Sequence, residues 1–214
     1  MTTTNVCFDE THSCSACCGI YNLAFSAQEL HQYLENNTKN FLSLDISKPE
    51  NIVSFREKGE SFLQKYVIRK DIYVCPFVGF VAEEKTGCLL HPTGSPHPQI
   101  SLYTNPQNFS FYGESICQGY NCLSKERALP QIFQKPLPAQ IYGRLVSRAD
   151  ILGCLREIQK RNQNFHPDTW VEQNYQAISS LTSTSFEPVI LVEKLDDPEA
   201  ELRKLLAWDK RSTE

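Results

Sequence analysis

The chain has 214 residues, 41% of them hydrophobic and 21% charged, with a formal charge of −4; this is an ordinary globular balance, with room for one large domain or a domain and an appendage. Lys and Arg are dispersed, with no basic run longer than Arg69-Lys70 or Lys210-Arg211, which argues against a nucleic-acid footprint or a polybasic membrane patch. The N-terminus lacks a charged segment followed by an apolar one, and no apolar run approaches the ~18 residues that span a bilayer, so a soluble cytoplasmic protein in a reducing compartment is expected.

Residues 1–25 read as a loop carrying His12-Ser-Cys14-Ser-Ala-Cys17-Cys18-Gly19. A helix is predicted from Ser26, because Ser26-Ala-Gln-Glu29 has capping-box spacing. Leu30, Tyr33 and Leu34 give it an apolar face, and Asn36-Asn37 is the expected end. A second capping box, Ser47-Lys-Pro49-Glu50, predicts a helix running to about Tyr66, with Pro49 in the first turn where its missing N–H is harmless. Gly59 lies inside and weakens it by about 1 kcal/mol relative to Ala. The pattern then turns β-branched and aromatic over 71–75 and 77–81. Residues 77–90 are expected to form a hairpin around Glu83-Glu84-Lys85-Thr86-Gly87, with Cys75 and Cys88 at its ends.

Residues 91–110 are rich in proline and glycine and read as an ordered loop leading to Cys117 and Cys122. Three prolines make 129–140 a candidate linker. Beyond it, helices are predicted over 147–161, from Pro167 to about 181, and from Asp197-Pro198, a cap followed by proline. Leu202, Leu205 and Leu206 form the buried stripe of the last one. Residues 187–195 form a short apolar run suited to a strand. The expected fold is α+β, mainly helical, with a small β-hairpin in a cysteine-rich metal-binding domain at 1–128 and a helical C-terminal extension at 141–214 packed on it.

Nine cysteines are too few for a disulfide scaffold, and their number is odd. Clustered cytosolic thiols point to metal binding or catalysis. Cys14-Ser-Ala-Cys17 has the minimal spacing that turns two thiolates toward one ion, and a second pair closes a zinc tetrahedron with Zn–S about 2.3 Å. Cys75, Cys88, Cys117 and Cys122 are the candidates for completing it. Vicinal Cys17 and Cys18 cannot readily both face one ion, so one of them binds a second metal, bridges two, or stays apart. The ferredoxin spacing Cys-x-x-Cys-x-x-Cys is absent because Ile20 stands at its third position. A dispersed [4Fe–4S] site remains open, and Cys75-Pro76 favours it. His12 or His91 could complete a further site. Taken singly, Cys75 and Cys88 read as small core residues, and each histidine as a loop residue. Jointly, seven thiols at loop or strand-end positions outweigh that reading. Cys154 is expected in a helical core and Cys7 at the terminus.

The arrangement Cys14-Ser-Ala-Cys17-Cys18, Cys75-Pro76, Cys88-Leu-Leu-His91-Pro92 and Cys117-Gln-Gly-Tyr-Asn-Cys122 resembles the YkgJ-type cysteine-cluster proteins, described as zinc- or iron-chelating domains. The resemblance covers about residues 7–125. Here Thr11 stands where members often carry a further cysteine, Ser15 replaces a glycine, and His91-Pro92 replaces Arg-Pro. A long insertion separates Cys18 from Cys75. The resemblance implies Zn2+ or a [4Fe–4S] cluster held by Cys14, Cys17, Cys18, Cys75, Cys88, Cys117 and Cys122. Through larger relatives it also implies an alternative, an iron–sulfur redox or group-transfer enzyme of the protein lysine methylase kind.

Rival chemistry is sparse. No G-x-S-x-G, P-loop, H-E-x-x-H or G-x-G-x-x-G motif occurs. A nucleophilic Cys17 with His91 or His166 would leave the other thiols unexplained. Phe109, Phe111, Tyr112 and Tyr120 near the last thiols read as a shield against water.

Overall fold

The protein is described by a computed structural model covering residues 13–83, 85–90, 122–182 and 196–211, the side chains of Lys125 and of 208–211 excepted. The fold is α+β and mainly helical, and its one described sheet is a two-stranded antiparallel hairpin. Two 3-10 turns, Ala16–Cys18 and Ile20–Asn22, precede helices α1 (Ala27–Leu42) and α2 (Pro49–Leu63). Strands β1 (Val78–Ala82) and β2 (Lys85–Cys88) follow. Then come α3 (Leu123–Glu126), a 3-10 turn (Leu129–Ile132), α4 (Ala139–Val146), α5 (Ala149–Arg161), α6 (Pro167–Gln173), α7 (Tyr175–Ser179) and α8 (Pro198–Arg211). Among the described residues no helix is long and apolar enough to cross a membrane. The expected loop at 91–110 and strand at 187–195 lie outside the described residues.

The capping box at α1 is formed as expected. Ser26 accepts from the Glu29 N–H, and the Glu29 carboxylate accepts from the Ser26 N–H. The helix does not stop at Asn36-Asn37. It runs on to Leu42, and Asn37 is buried on the same face as Leu30, Leu34 and Phe41. Each of those large apolar side chains contributes about 1.5–3 kcal/mol on leaving water. The second capping box does not form. Ser47 donates instead to the Asp45 carboxylate at 2.6 Å, and Lys48 precedes the first helical residue without a side-chain cap. A turn at 64–66 replaces the helical end expected near Tyr66. Gly59 has a packing reason: a Cβ there would run into the Pro76 ring, so the glycine lets α2 press onto the Cys75-Pro76 segment.

The hairpin pairs Val78 with Cys88, Gly79 with Gly87 and Phe80 with Thr86, and the register shifts before Ala82–Lys85. It is seated on α1 by polar contacts. The Phe80 N–H donates to Thr38 Oγ1 at 2.7 Å. The Asn37 amide donates to the Pro76 and Val78 carbonyls, both at 2.7 Å. Residues 71–75, expected as a strand, are turn and irregular backbone.

Two apolar clusters form. The first gathers Tyr21, Leu30, Leu34, Phe41, Ile52, Phe77 and Leu89, and the second gathers Ile141, Leu145, Ile151, Leu152, Leu155, Val171 and Ile178. Helix α4 serves both: Tyr142 and Val146 belong to the first, Ile141 and Leu145 to the second. The proline-rich stretch before it is not a loose connection. Leu129, Pro130 and Ile132 are buried in a 3-10 turn, because proline fits an irregular turn as readily as a linker. The helix expected from Ser147 begins at Ala149, after α4. At α8 the Asp197 carboxylate caps the Ala200 N–H at 2.9 Å, and Leu202, Leu205 and Leu206 pack on the second cluster.

Candidate metal centre

The site is built from a short loop held against two distant segments. Asn22, fully buried, donates from its amide to the Arg69 and Ile72 carbonyls at 2.8 and 3.0 Å and accepts from the Arg69 N–H at 2.9 Å. The Ile68 N–H bonds the Asn22 carbonyl, and the Cys75 N–H bonds the Cys18 carbonyl at 2.8 Å. Gly19 makes the close approach possible. Its φ is +70°, and any Cβ would strike the Tyr73 carbonyl. On the other side Ser13 and Ser15, both buried, grip β2. Ser13 Oγ accepts from the Thr86 N–H at 3.1 Å, and Ser15 donates to Thr86 Oγ1 at 2.7 Å. Side chains alternate along a strand, so Cys88, two residues on, shares the Thr86 face.

The outcome is a convergence on Cys18. Cys17 is exposed, Cys18 and Cys75 are buried, and Cys14 and Cys88 are half-buried. The Cys17 and Cys18 side chains hydrogen-bond to one another. That bond, then burial, then the charges that Cys17, Cys75 and Cys88 would carry all push the Cys18 thiol up. The groups acting on Cys18 are thus themselves thiols. Cys14 Sγ accepts from the Ala16 N–H at 3.4 Å. Cys14, Cys75, Cys88 and Cys122 all pack in or against the first apolar cluster that contains Cys18. Cys122 is half-buried just before α3, its carbonyl accepting from the Glu126 N–H. Cys154 lies apart in the second cluster, with no surface exposed, and burial pushes its thiol up to about 12. Cys7, His12, His91, Cys117 and the aromatics at 109–120 lie outside the described residues.

Soft sulfur donors suit zinc or iron. Among the described residues, however, no group of three or more His, Cys, Asp and Glu side chains is placed to hold a metal ion.

Two tyrosines adjoin the thiols. Tyr21 is fully buried, with the Arg144 guanidinium 5.0 Å from its ring centre. Burial and then Cys14 raise its hydroxyl far above the ordinary tyrosine value, and Arg144 and Ser15 oppose them. Tyr33 is raised by burial, then by Cys75 and Cys18. Its ring also lines an open groove of about 700 Å3 between α1 and α2, with Phe25, Phe62 and Tyr66. Sequence reading passed over Asn22 and Tyr21, and placed Tyr33 only on the apolar face of the first helix. The signal for Tyr21 was its place three residues after Cys18, one turn from the thiols.

No family model, curated protein or solved structure matches this chain.

Proposed function

We propose that the thiols gathered around Cys18 hold a thiophilic metal, as zinc or as a [4Fe–4S] cluster. The ligand pool is Cys14, Cys17, Cys18, Cys75, Cys88, Cys117 and Cys122. The observation that carries the reading is the meeting of the 3-10 turn at Ala16–Cys18, the residue after Val74 and the end of β2 at one buried thiol. A nucleophilic cysteine needs a neighbour that favours the thiolate. Cys18 has thiol neighbours that oppose it, and a cation reverses that opposition because metal binding expels the protons. On this reading the chain is a YkgJ-type cysteine-cluster protein, and the metal also braces the fold by joining the loop to the hairpin.

The test is metal analysis of protein purified without oxygen, counting iron, zinc and acid-labile sulfide per chain. A brown sample absorbing near 400 nm with iron and sulfide supports the cluster, and a colourless one with stoichiometric zinc supports the zinc site. Cys18→Ser lowers metal content in either case. Protein carrying neither metal, or a Cys18→Ser variant with undiminished content, overturns the reading.

A further inference from the structure

Cys18 and Cys75 stand far apart in sequence and meet in space. The Cys75 N–H donates to the Cys18 carbonyl at 2.8 Å. Standard bond lengths then hold the two α-carbons within about 6.7 Å of one another, inside the span of about 4.4–6.8 Å that a disulfide bridges. The glycine between the segments permits this approach. A Cβ on Gly19 would strike the Tyr73 carbonyl and crowd the Val74 α-carbon. Both thiols are buried in the same apolar cluster. Burial also keeps solutes from either sulfur. Cys17 is the exposed thiol of this loop, and its side chain hydrogen-bonds to that of Cys18. An accessible thiol poised beside a second one that can resolve it is the arrangement of a redox-sensing cysteine. A bond between Cys17 and Cys18 themselves is a poor resting product. Neighbouring α-carbons are about 3.8 Å apart across a trans peptide, short of the span a relaxed disulfide needs.

We propose that Cys17, Cys18 and Cys75 form a thiol–disulfide switch, in which Cys17 meets the oxidant and Cys18 and Cys75 keep the bond. The oxidant is a hydroperoxide. The Cys17 sulfur takes one of its oxygens, the O–O bond breaks, an alcohol (water, from hydrogen peroxide) leaves, and Cys17 becomes a sulfenic acid. The Cys18 sulfur then attacks the Cys17 sulfur and expels that oxygen as water. The Cys75 sulfur attacks the Cys18 sulfur in turn, and Cys17 leaves as a free thiol carrying the proton that Cys75 gives up. One hydroperoxide is thus reduced to an alcohol and water, and two thiols are oxidised to one disulfide. The bond closes a loop that holds the whole of α1 and α2 and staples the helical pair at its base. It removes freedom from the unfolded chain, so the oxidised protein is the more stable form. The switch goes beyond metal binding and does not depend on it, because the sulfurs bond to one another.

The experiment uses the full chain, purified reduced and without oxygen, and treated with one equivalent of hydrogen peroxide in buffer and in urea. Remaining thiols are blocked with iodoacetamide, and the digest is mapped by mass spectrometry. The expected product in buffer is a peptide pair joined through Cys18 and Cys75, with Cys17 alkylated; in urea the pairing is mixed. The melting temperature of the oxidised chain rises by about 8–16 °C, and dithiothreitol reverses the rise. Cys17→Ser forms the same crosslink more slowly than the parent. Cys18 and Cys75 both alkylated after Cys17 has been oxidised overturns the switch. So does a bond from either of them to Cys14, Cys88 or Cys122, or a Cys18–Cys75 yield as high in urea as in buffer. A Cys17→Ser variant that closes the bond as fast as the parent overturns it as well, since oxidant then reaches the pair without the exposed thiol.

Discussion

Asn37 offers the sharpest test of how the hairpin is held. Its amide is buried on α1 and donates two hydrogen bonds at 2.7 Å, to the carbonyls of Pro76 and Val78. Asn37→Ala removes both. At about 1 kcal/mol net for each bond, the loss is about 2 kcal/mol. For a chain of 214 residues, 1 kcal/mol moves the melting temperature by about 2–4 °C, so a drop of about 4–8 °C is expected. Asn37→Asp is nearly the same shape but sets a carboxylate against two carbonyl oxygens, so it adds repulsion to the same loss. It is expected to cost about 3–4 kcal/mol, since a buried polar group facing only acceptors retains its desolvation penalty. Urea denaturation followed by circular dichroism gives both values, with an unchanged slope in urea showing that the transition is the same one. If Asp at this position is as mild as Ala, the amide is not acting as a donor and the account of hairpin seating fails.

Three further predictions follow from single residues. The Glu29 carboxyl is held below its ordinary value by the Ser26 hydroxyl and backbone N–H; this stabilisation is present above the unfolded glutamate value of about 4.3 and is lost as acid protonates the native carboxyl below it. The melting-temperature gap between parent and Ser26→Ala therefore narrows as pH falls below the unfolded glutamate value, and a constant gap refutes the link. Gly19→Ala places a side chain in a left-handed conformation worth about 1–2 kcal/mol of strain and drives it into the Tyr73 carbonyl, so a destabilisation of at least about 2 kcal/mol is expected in urea. Cys154→Ala opens a small hole in the second cluster; it lowers the melting temperature while metal per chain stays at the parent value, and a fall in metal content as large as that of Cys14→Ser shows that the thiols have been divided wrongly.

Local signals were readable where one residue settles one backbone group. Ser26 with Glu29, and Asp197 before Pro198, announce helix starts because the cap and the helix lie within one turn. The same spacing at Ser47 misled, because Asp45 offered that hydroxyl a nearer acceptor. Asn36-Asn37 looked like a helix end, yet Asn37 has long-range partners in the hairpin that no local pattern reveals. Prolines suggested a linker where Leu129 and Ile132 are core. Helix α4 escaped notice because it is only eight residues long and adjoins the proline-rich stretch that reads as a linker. For the site, the sequence separated Cys154 from the other described thiols. It could not show that Cys17, Cys75 and Cys88 act on Cys18, nor that two tyrosines close in behind them, since these contacts depend on Asn22, Gly19 and Ser15 joining remote segments.

The two serine contacts to Thr86 also fix a timetable. Ser15 and Thr86 are 71 residues apart, which at a synthesis rate of about 5–20 residues per second means roughly 4–14 s between the emergence of one and of the other. Isolated helices relax within about a microsecond, so α1 and α2 are sampled long before the hairpin exists to cover the first thiols. During those seconds Cys14 and Cys17 stand on the nascent chain without the hairpin beside them, open to oxidant. On the proposed reading, selectivity for one metal is imposed afterwards, when the hairpin docks beside the Cys18 loop.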